Sequence, residues 1–220
     1  MSREALERFR RSMVIGYEEW HEGTPYDLDA LDALTDDERC EIEESLVVRA
    51  GRDFRDVQAL DRLGTPRALS AIESALTCEE LEVRIEAAAC LARRGLLAGT
   101  RLDALIVDSL SRATIANGMV KTLAFAQEHL SVQSLQQLFR CVEQGNEDIR
   151  FHGAALIHYL FGVSKTAFDW DRRPFYFRFL SLDPEERRAA FLELCRDVGA
   201  DPERLETVTL PRRRRRVSLG

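Results

Sequence analysis

The sequence predicts an all-α protein built from stacked antiparallel helical hairpins, an α-solenoid with helical caps at both ends. Apolar residues recur at intervals of three and four along most of the 220 residues, whereas the two-residue alternation of strands is essentially absent. In addition, LEVRIEAAACLARRG at 81–95 shares its order of apolar, Arg and small residues with EDIRFHGAALIHYLFG at 147–162. We therefore expect a repeat protein with nine to twelve helices.

Residues 1–64 are predicted to form a strongly acidic helical cap. Thr35 and Glu38 have the spacing of a capping box, which starts a helix. Asp53 and Gly64 are the residue types that begin and end the helix after it.

Residues 65–163 are predicted to hold about three repeats of two helices each. Shifting the sequence by 66 places Val83-Arg84 on Ile149-Arg150, and small residues follow in both copies. Small residues let the second helix of a hairpin approach its neighbour closely. The predicted units are 65–97, 98–130 and 131–163.

Arg84 and Arg150 are interpreted as structural residues. We expect each to bond to an acid or a carbonyl of a neighbouring unit, which would give a ladder along the array. The middle unit has Asn117 where the Arg should be and Lys121 in place of an Ala, so the ladder should break there.

RLGTPRALSAIESAL followed by LEVRIEAAACLARRG is similar to HEAT-like repeats of the PBS-lyase type. The resemblance is good over 63–97, fair over 131–162 and poor over 98–130. It implies the α-solenoid fold, but it implies little about function because such folds host many roles. The whole arrangement resembles small bacterial HEAT-like proteins, some of which act as immunity or adaptor proteins.

Residues 164–208 are predicted to be an aromatic segment with a capping helix that starts at Asp183-Pro184. The aromatic residues are expected to cover the open end of the array. Residues 209–220 are predicted to be an Arg-rich, flexible tail. This tail could bind nucleic acid, fold back on the acidic body or present Ser218 to a kinase. The aromatic residues of the segment are Phe168, Trp170, Phe175, Tyr176, Phe177 and Phe179.

The charge of the chain favours a basic protein partner. The formal net charge is −7, although Arg212 to Arg216 are five consecutive arginines. Residues 16–47 contain twelve acidic residues and one basic residue, Arg39. An acidic body repels nucleic acid and anionic membranes, so we expect no nucleic acid as a partner of the body and no membrane.

The sequence contains no recognisable catalytic signature, so we predict no catalytic residue, no metal and no cofactor. The five cysteines include no C-x-x-C pair, the four histidines have no metal-binding spacing, and there is no G-x-S-x-G. There is neither an apolar signal segment nor an apolar run of about 20 residues that could cross a membrane, which predicts a cytoplasmic protein.

The predicted interaction surface combines the acidic N-terminal segment with the concave face of the second helices. Aromatic residues within an acidic ring are typical of an interface anchor for a basic partner, such as a nuclease toxin domain. The alternatives are a purely structural cap, a general scaffold, or, as the resemblance implies, an enzyme like the phycobilin lyases or the DNA glycosylases. The oligomeric state is open. The predicted partner-binding residues are Tyr17, Glu18, Trp20, His21, Glu22, Tyr26, Asp27, Asp29, Asp36, Asp37 and His152.

Overall fold

The structure is a computed structural model that describes residues 2–211; for Ser2, Arg3, Trp20 and His21 it describes the backbone alone. Within this range it contains thirteen α-helices, three 3₁₀ turns and no β-strand, which confirms the all-α prediction. The count exceeds the expected nine to twelve because α2, α3 and α12 are short helices of five or six residues. The five arginines of the tail lie outside the described residues.

The chain divides into two compact units, Met1–Ala98 and Gly99–Gly220, here called the N-terminal and C-terminal units. The boundary falls one residue from the predicted start of the second repeat. No helix of residues 2–211 is both long enough and apolar enough to cross a membrane.

The N-terminal unit contains two helical hairpins, α4 with α5 and α6 with α7. Helix α5 packs against α7, and α4 packs against α6, so that the two hairpins stack. The first of these hairpins lies inside the segment predicted as a cap. The helices are α1 Ser2–Ser12, α2 Tyr17–Glu22, α3 Leu28–Asp32, α4 Asp36–Arg49, α5 Phe54–Leu63, α6 Pro66–Ala75 and α7 Leu81–Arg93.

The predicted helix ends of this unit are confirmed. The side chain of Thr35 accepts from the backbone N–H of Glu38, whose carboxylate accepts from the backbone N–H of Thr35. Asp53 accepts from the N–H of Arg55 at the start of α5, and Gly64 ends that helix with φ +65°. Local sequence therefore determines where these helices begin and end.

The C-terminal unit also stacks two hairpins, α8 with α9 and α10 with α11. Helix α8 packs against α10, α9 packs against α11, and the segments after α11 pack on α10 and α11. The elements are α8 Gly99–Arg112, α9 Met119–Glu128, α10 Val132–Gln144, α11 Glu147–Leu160, η1 Trp170–Arg172, α12 Arg173–Phe177, η2 Arg178–Leu180, α13 Pro184–Val198 and η3 Leu205–Thr207.

Close helix packing uses the predicted small residues. Ala87 and Ala88 of α7 and Ala154 of α11 are all 0% exposed. A larger side chain at these positions would force the paired helices apart.

Arg84 and Arg150 each bond to a carbonyl of their own hairpin, whereas the predicted ladder joins neighbouring units. Arg84 Nε donates to the carbonyl of Leu76 at 3.1 Å, and Arg150 Nη1 donates to the carbonyl of Gly145 at 2.8 Å. Both carbonyls belong to the residue that ends the preceding helix, so these bonds lie within one hairpin. Arg150 Nε also donates to Phe179 at 3.0 Å, beyond the predicted array.

Other residues, 33 positions apart, make the bonds between hairpins. In the C-terminal unit, Asn146 Nδ2 donates to the carbonyl of Ala113 at 2.8 Å, and the N–H of Ile115 donates to Asp148 Oδ2 at 2.7 Å. In the N-terminal unit, Arg94 Nε donates to Asp61 Oδ1 at 2.6 Å. Polar residues at the helix ends therefore hold neighbouring hairpins in register.

The alignment of the middle unit is wrong by five residues. Helices α7 and α11 begin at Leu81 and Glu147, 66 residues apart, but α9 begins at Met119 and not at 114. The intervening residues form a turn in which the backbones of Thr114 and Asn117 bond to each other. Asn117 therefore precedes the helix and does not occupy the position of Arg84.

Candidate functional site

Helix α2 carries five of the predicted partner-binding residues, and the structure describes the side chains of three of them, Tyr17, Glu18 and Glu22. Their side chains are exposed, Tyr17 to 77%. The backbone of this short helix is held by Arg55, a residue of α5 that is only 2% exposed. Its guanidinium donates to the carbonyls of Glu19 at 3.2 Å and Thr24 at 2.7 Å. The α2 surface (Tyr17, Glu18 and Glu22) thus lies where α4 ends and α5 begins.

Asp36 and Asp37 lie in the first turn of α4, and both are exposed. A helix of 14 residues is about 20 Å long, so these two acids lie at the far end of α4 from the α2 surface. The structure therefore separates the predicted acidic ring into two surfaces at opposite ends of one helix.

Tyr26 is buried at 3% exposure and is not part of either surface. Its hydroxyl donates to Asp56 Oδ1 at 3.0 Å and accepts from Arg49 Nη2 at 3.1 Å, while Arg49 Nε donates to Asp56 Oδ2 at 3.3 Å. Burial raises the pKa of Tyr26 and also that of Asp56, although Arg49 acts against the second rise. We call Tyr26, Arg49 and Asp56 the Tyr26 cluster.

Asp27 is occupied by bonds within the fold. It accepts from the N–H of Ala30 at 2.9 Å as the cap of α3, and Arg8 Nη2 donates to it at 2.7 Å. These two hydrogen bonds, that of Ala30 first, lower the pKa of Asp27. No sequence motif marks the pairing with Arg8, because the two residues are distant in the chain.

Arginines from outside the segment neutralise four of its twelve acids. The exposed acids that remain have no ion pair within the described residues and are divided between the two ends of α4 and helix α3. The four ion pairs are Asp27–Arg8, Asp32–Arg62, Glu41–Arg10 and Glu44–Arg67. The remaining exposed acids are Glu18, Glu19, Glu22, Asp29, Asp36 and Asp37.

His152 lies on α11 of the C-terminal unit, whereas the other predicted residues belong to the N-terminal unit. It is half-buried, with its ring centroid 4.8 Å from that of Phe151 and 5.7 Å from that of Phe168. Burial lowers the pKa of His152. The backbone of Trp20 and His21 belongs to α2, but their side chains are not described.

Sequence reasoning gave no role to a second histidine, His158, which is 0% exposed. Its Nδ1 lies 3.3 Å from the hydroxyl of Tyr176, and its ring stacks on Phe175. Nε2 lies 3.4 Å from Asp197 Oδ2 but has no hydrogen bond within the described residues. Burial lowers the pKa of His158 to about 4. We call His158, Arg172, Tyr176 and Asp197 the His158 cluster.

The aromatic segment only partly covers the unit as predicted. Tyr176 and Phe179 are buried, at 0% and 1% exposure. Trp170 and Phe177 instead face solvent, at 69% and 45% exposure. One face of the segment thus completes the core while the other is left open.

The grooves of the N-terminal unit include two of more than 400 Å³. One, of about 470 Å³, lies between the end of α4 and helix α6 and is lined mostly by small residues. The other, of about 410 Å³, lies on α5 and α7, the second helices of the two hairpins, and Asp61, Arg62, Glu86 and Arg93 line it. This face therefore carries mixed charge and not a continuous acidic groove.

Within residues 2–211, no group of three or more His, Cys, Asp or Glu could hold a metal ion. The buried thiols of Cys90 and Cys195 each have a pKa raised to about 12 by burial, so they stay protonated at neutral pH.

Comparison with models of protein families, with curated proteins and with solved structures gives no match. The resemblance to HEAT-like repeats therefore stays a prediction from the residues quoted above.

Proposed function

We propose that this protein is a non-catalytic binding module that recognises a basic protein through exposed acids of its N-terminal unit. The observation that supports this proposal is the location of the charge. The N-terminal unit has 22 acidic and 13 basic residues, whereas the C-terminal unit has 16 acidic and 18 basic residues. An acidic surface steers a basic partner and raises its rate of association.

The α2 surface offers the best contact for such a partner. Tyr17 is 77% exposed and is flanked by Glu18 and Glu22, which have no ion pair among the described residues. Tyrosine is enriched at interface hot spots because it buries a large apolar ring and keeps a polar tip. Arg55 holds the backbone of α2, so less conformational entropy is lost on binding.

The proposed partner is a basic toxin domain, such as a nuclease, which would make this protein a bacterial, cytoplasmic immunity protein. A nuclease site binds phosphates, and carboxylates on a rigid surface can occupy the same positions. The α-solenoid arrangement is part of this proposal. Its support is that α4–α5 stacks on α6–α7 in one unit, and α8–α9 stacks on α10–α11 in the other.

Affinity capture from a lysate of the native host, with quantitative mass spectrometry, tests the proposal. Two charge-reversed variants separate the two acidic surfaces: Glu18→Lys with Glu22→Lys, and Asp36→Lys with Asp37→Lys. We expect the unmodified protein to capture a basic protein that the variant Glu18→Lys with Glu22→Lys does not capture. Capture by the unmodified protein should weaken as the salt concentration rises.

The matched control is Glu79→Lys with Glu82→Lys, which changes the net charge equally at exposed acids elsewhere in the unit. If the basic protein is lost equally on this control, total charge and not the α2 surface is responsible. If capture persists on both charge-reversed variants, the acidic surfaces are not the binding site.

A further inference from the structure

The C-terminal unit exposes an arginine between two aromatic rings. Trp170, Arg173 and Phe177 lie at positions i, i+3 and i+7 of the continuous helical run formed by η1 and α12. This spacing places three side chains on one face of a helix. Tyr176 of α12 and Phe179 of the following η2 are buried, so the run is anchored by one face and open on the other.

Both neighbouring rings contact the guanidinium of Arg173. Its Cζ lies 5.1 Å from the ring centroid of Trp170 and 4.8 Å from that of Phe177. Both distances are within the range of a cation–π contact. The two rings therefore restrict the rotamers of Arg173 in the unbound protein.

Further rings support this arrangement from behind. The centroid of Phe151 lies 5.4 Å from that of Phe177 and 5.4 Å from that of Phe168, which is itself 5.4 Å from Trp170. Four aromatic rings and one guanidinium thus form a closed circuit of contacts. We call these five groups, Phe151, Phe168, Trp170, Arg173 and Phe177, the Trp170 surface.

Arg173 differs from its neighbouring arginines in its polar partners. Arg172 pairs with Asp197, and Arg178 donates to Glu186 and Glu193. The guanidinium of Arg173 has neither an ion pair nor a hydrogen bond within the described residues, although the backbone N–H of Arg173 donates to the carbonyl of Trp170. The guanidinium N–H donors are therefore left for a ligand, and a planar guanidinium can bind a carboxylate through two parallel hydrogen bonds.

The surrounding charge selects a weakly charged ligand. Asp169 and Asp171 lie in the same short segment as Arg173, and Asp171 is exposed. These carboxylates repel a phosphate or a nucleic acid, whose charge is larger and repeated. A single carboxylate flanked by apolar groups avoids most of that repulsion and can also contact the two exposed rings.

We propose that the Trp170 surface binds a segment of a partner protein in which one Asp or Glu lies beside apolar side chains. Arg173 donates two hydrogen bonds to the carboxylate, and the exposed rings of Trp170 and Phe177 pack against the flanking side chains. Tryptophan and arginine are the residue types most enriched at interface hot spots. This site is independent of the acidic surfaces, since it lies in the other unit and recognises the opposite charge.

A library of random heptapeptides displayed on phage, selected on the full chain, tests this inference. We expect the selected sequences to share one Asp or Glu next to an aromatic or aliphatic residue. A synthetic, fluorescein-labelled copy of the most enriched heptapeptide then gives dissociation constants by fluorescence polarisation.

The variants Arg173→Gln and Arg173→Lys should each raise the dissociation constant of that peptide at least about tenfold. The first loses the charge, and the second loses the planar pair of donors. Trp170→Ala should also raise the dissociation constant of the peptide. The side chain of Trp170 is exposed enough for the fold to tolerate this change. The matched control is Arg196→Gln, an exposed arginine of α13. Thermal unfolding by circular dichroism checks that each variant is folded.

Three outcomes overturn the inference. Selection could enrich no sequence, or it could enrich sequences without a carboxylate. Peptide binding could be unchanged in both Arg173→Gln and Trp170→Ala. A fluorescein-labelled oligouridine of twelve nucleotides could bind and be weakened by Arg173→Gln, which would identify a nucleic-acid surface instead.

Discussion

The Tyr26 cluster of the N-terminal unit and the His158 cluster of the C-terminal unit both bury a tyrosine beside charged groups. In the Tyr26 cluster, Tyr26, Arg49 and Asp56 close a triangle of hydrogen bonds of 3.0 to 3.3 Å. In the His158 cluster the contacts are looser, at 3.3 Å to Tyr176 and 3.4 Å to Asp197, and Nε2 of His158 has no hydrogen bond within the described residues.

This difference shows two ways to bury polar groups. A charge can stay buried when a counter-charge and hydrogen bonds satisfy it, as in the Tyr26 cluster. A group with weaker partners stays neutral instead, which explains why burial lowers the pKa of His158. The stability of the Tyr26 cluster therefore depends on its counter-charge, whereas that of the His158 cluster depends on pH.

Removing the acid of the Tyr26 cluster should have the largest effect. Asp56 is 0% exposed, and Asp56→Ala leaves Tyr26 and Arg49 without their shared acceptor. We expect the free energy of unfolding in urea to fall by about 3–5 kcal/mol. As a control, Asp108→Ala removes an exposed partner of Arg112 and should cost less than about 0.5 kcal/mol. Equal losses in the two variants would contradict the importance of the buried triangle.

Acid should destabilise the C-terminal unit through His158. Burial lowers the pKa of His158 to about 4 in the folded state, whereas an ordinary histidine has a pKa of 6.5, so the unfolded state binds the proton more readily. The contribution of neutral His158 to the free energy of unfolding is complete above about pH 6.5 and is lost as pH falls towards 4. It amounts to about 3 kcal/mol. Asp197, Glu193 and Arg172 are the charged groups that act on the ring.

The His158→Gln variant should lack this part of the pH dependence when its urea unfolding is compared with that of the wild-type protein from pH 4 to 7. Nitrogen-15 spectra of the imidazole should show the His158 ring titrating near pH 4. A midpoint above pH 6 would mean that the ring is stabilised in its charged form.

A pair of arginine variants compares how firmly the two units hold their buried groups. Arg55→Met removes a buried guanidinium that donates to the carbonyls of Glu19 and Thr24. The free energy of unfolding should fall by about 2 kcal/mol. Hydrogen exchange of the amides in α2 should also become faster. Arg172→Met removes a half-exposed ion pair, in which Nη1 of Arg172 lies 3.6 Å from Oδ2 of Asp197. This change should lower the free energy of unfolding by less than about 0.5 kcal/mol. A larger loss for Arg172 than for Arg55 would reverse the comparison.

Two glycines that end helices give the smallest expected difference. Gly64 and Gly199 have φ of +65° and +70°, so alanine should cost about 1 kcal/mol at either position. At Gly64 a Cβ would also lie 3.2 Å from Arg94 Nη2, whereas nothing lies within 4 Å at Gly199. The melting temperature should therefore fall further in Gly64→Ala than in Gly199→Ala. A larger fall in Gly199→Ala would mean that Arg94 moves aside freely.

Helix ends and the all-α class could be predicted because they depend on neighbours a few residues away. Thr35 caps α4 and Gly64 ends α5 as expected, since these bonds span three or four residues. The bond of Arg84 to Leu76 could not be assigned from periodicity, because the same residue type at the same period fits a carbonyl in its own hairpin or in the next. The turn before α9 was missed because five extra residues shift a repeat without changing its composition.

The sequence by itself determined the helices, their caps and the excess of acidic residues in the N-terminal unit. Only the tertiary structure decided which of those acids have a cationic partner, because arginines from distant helices pair with Asp32, Glu41 and Glu44. It also buried Tyr26 and exposed Trp170, two aromatic residues whose local sequence gives no such distinction. Burial depends on which surfaces meet after the hairpins stack, and that is a property of contacts between residues far apart in the chain.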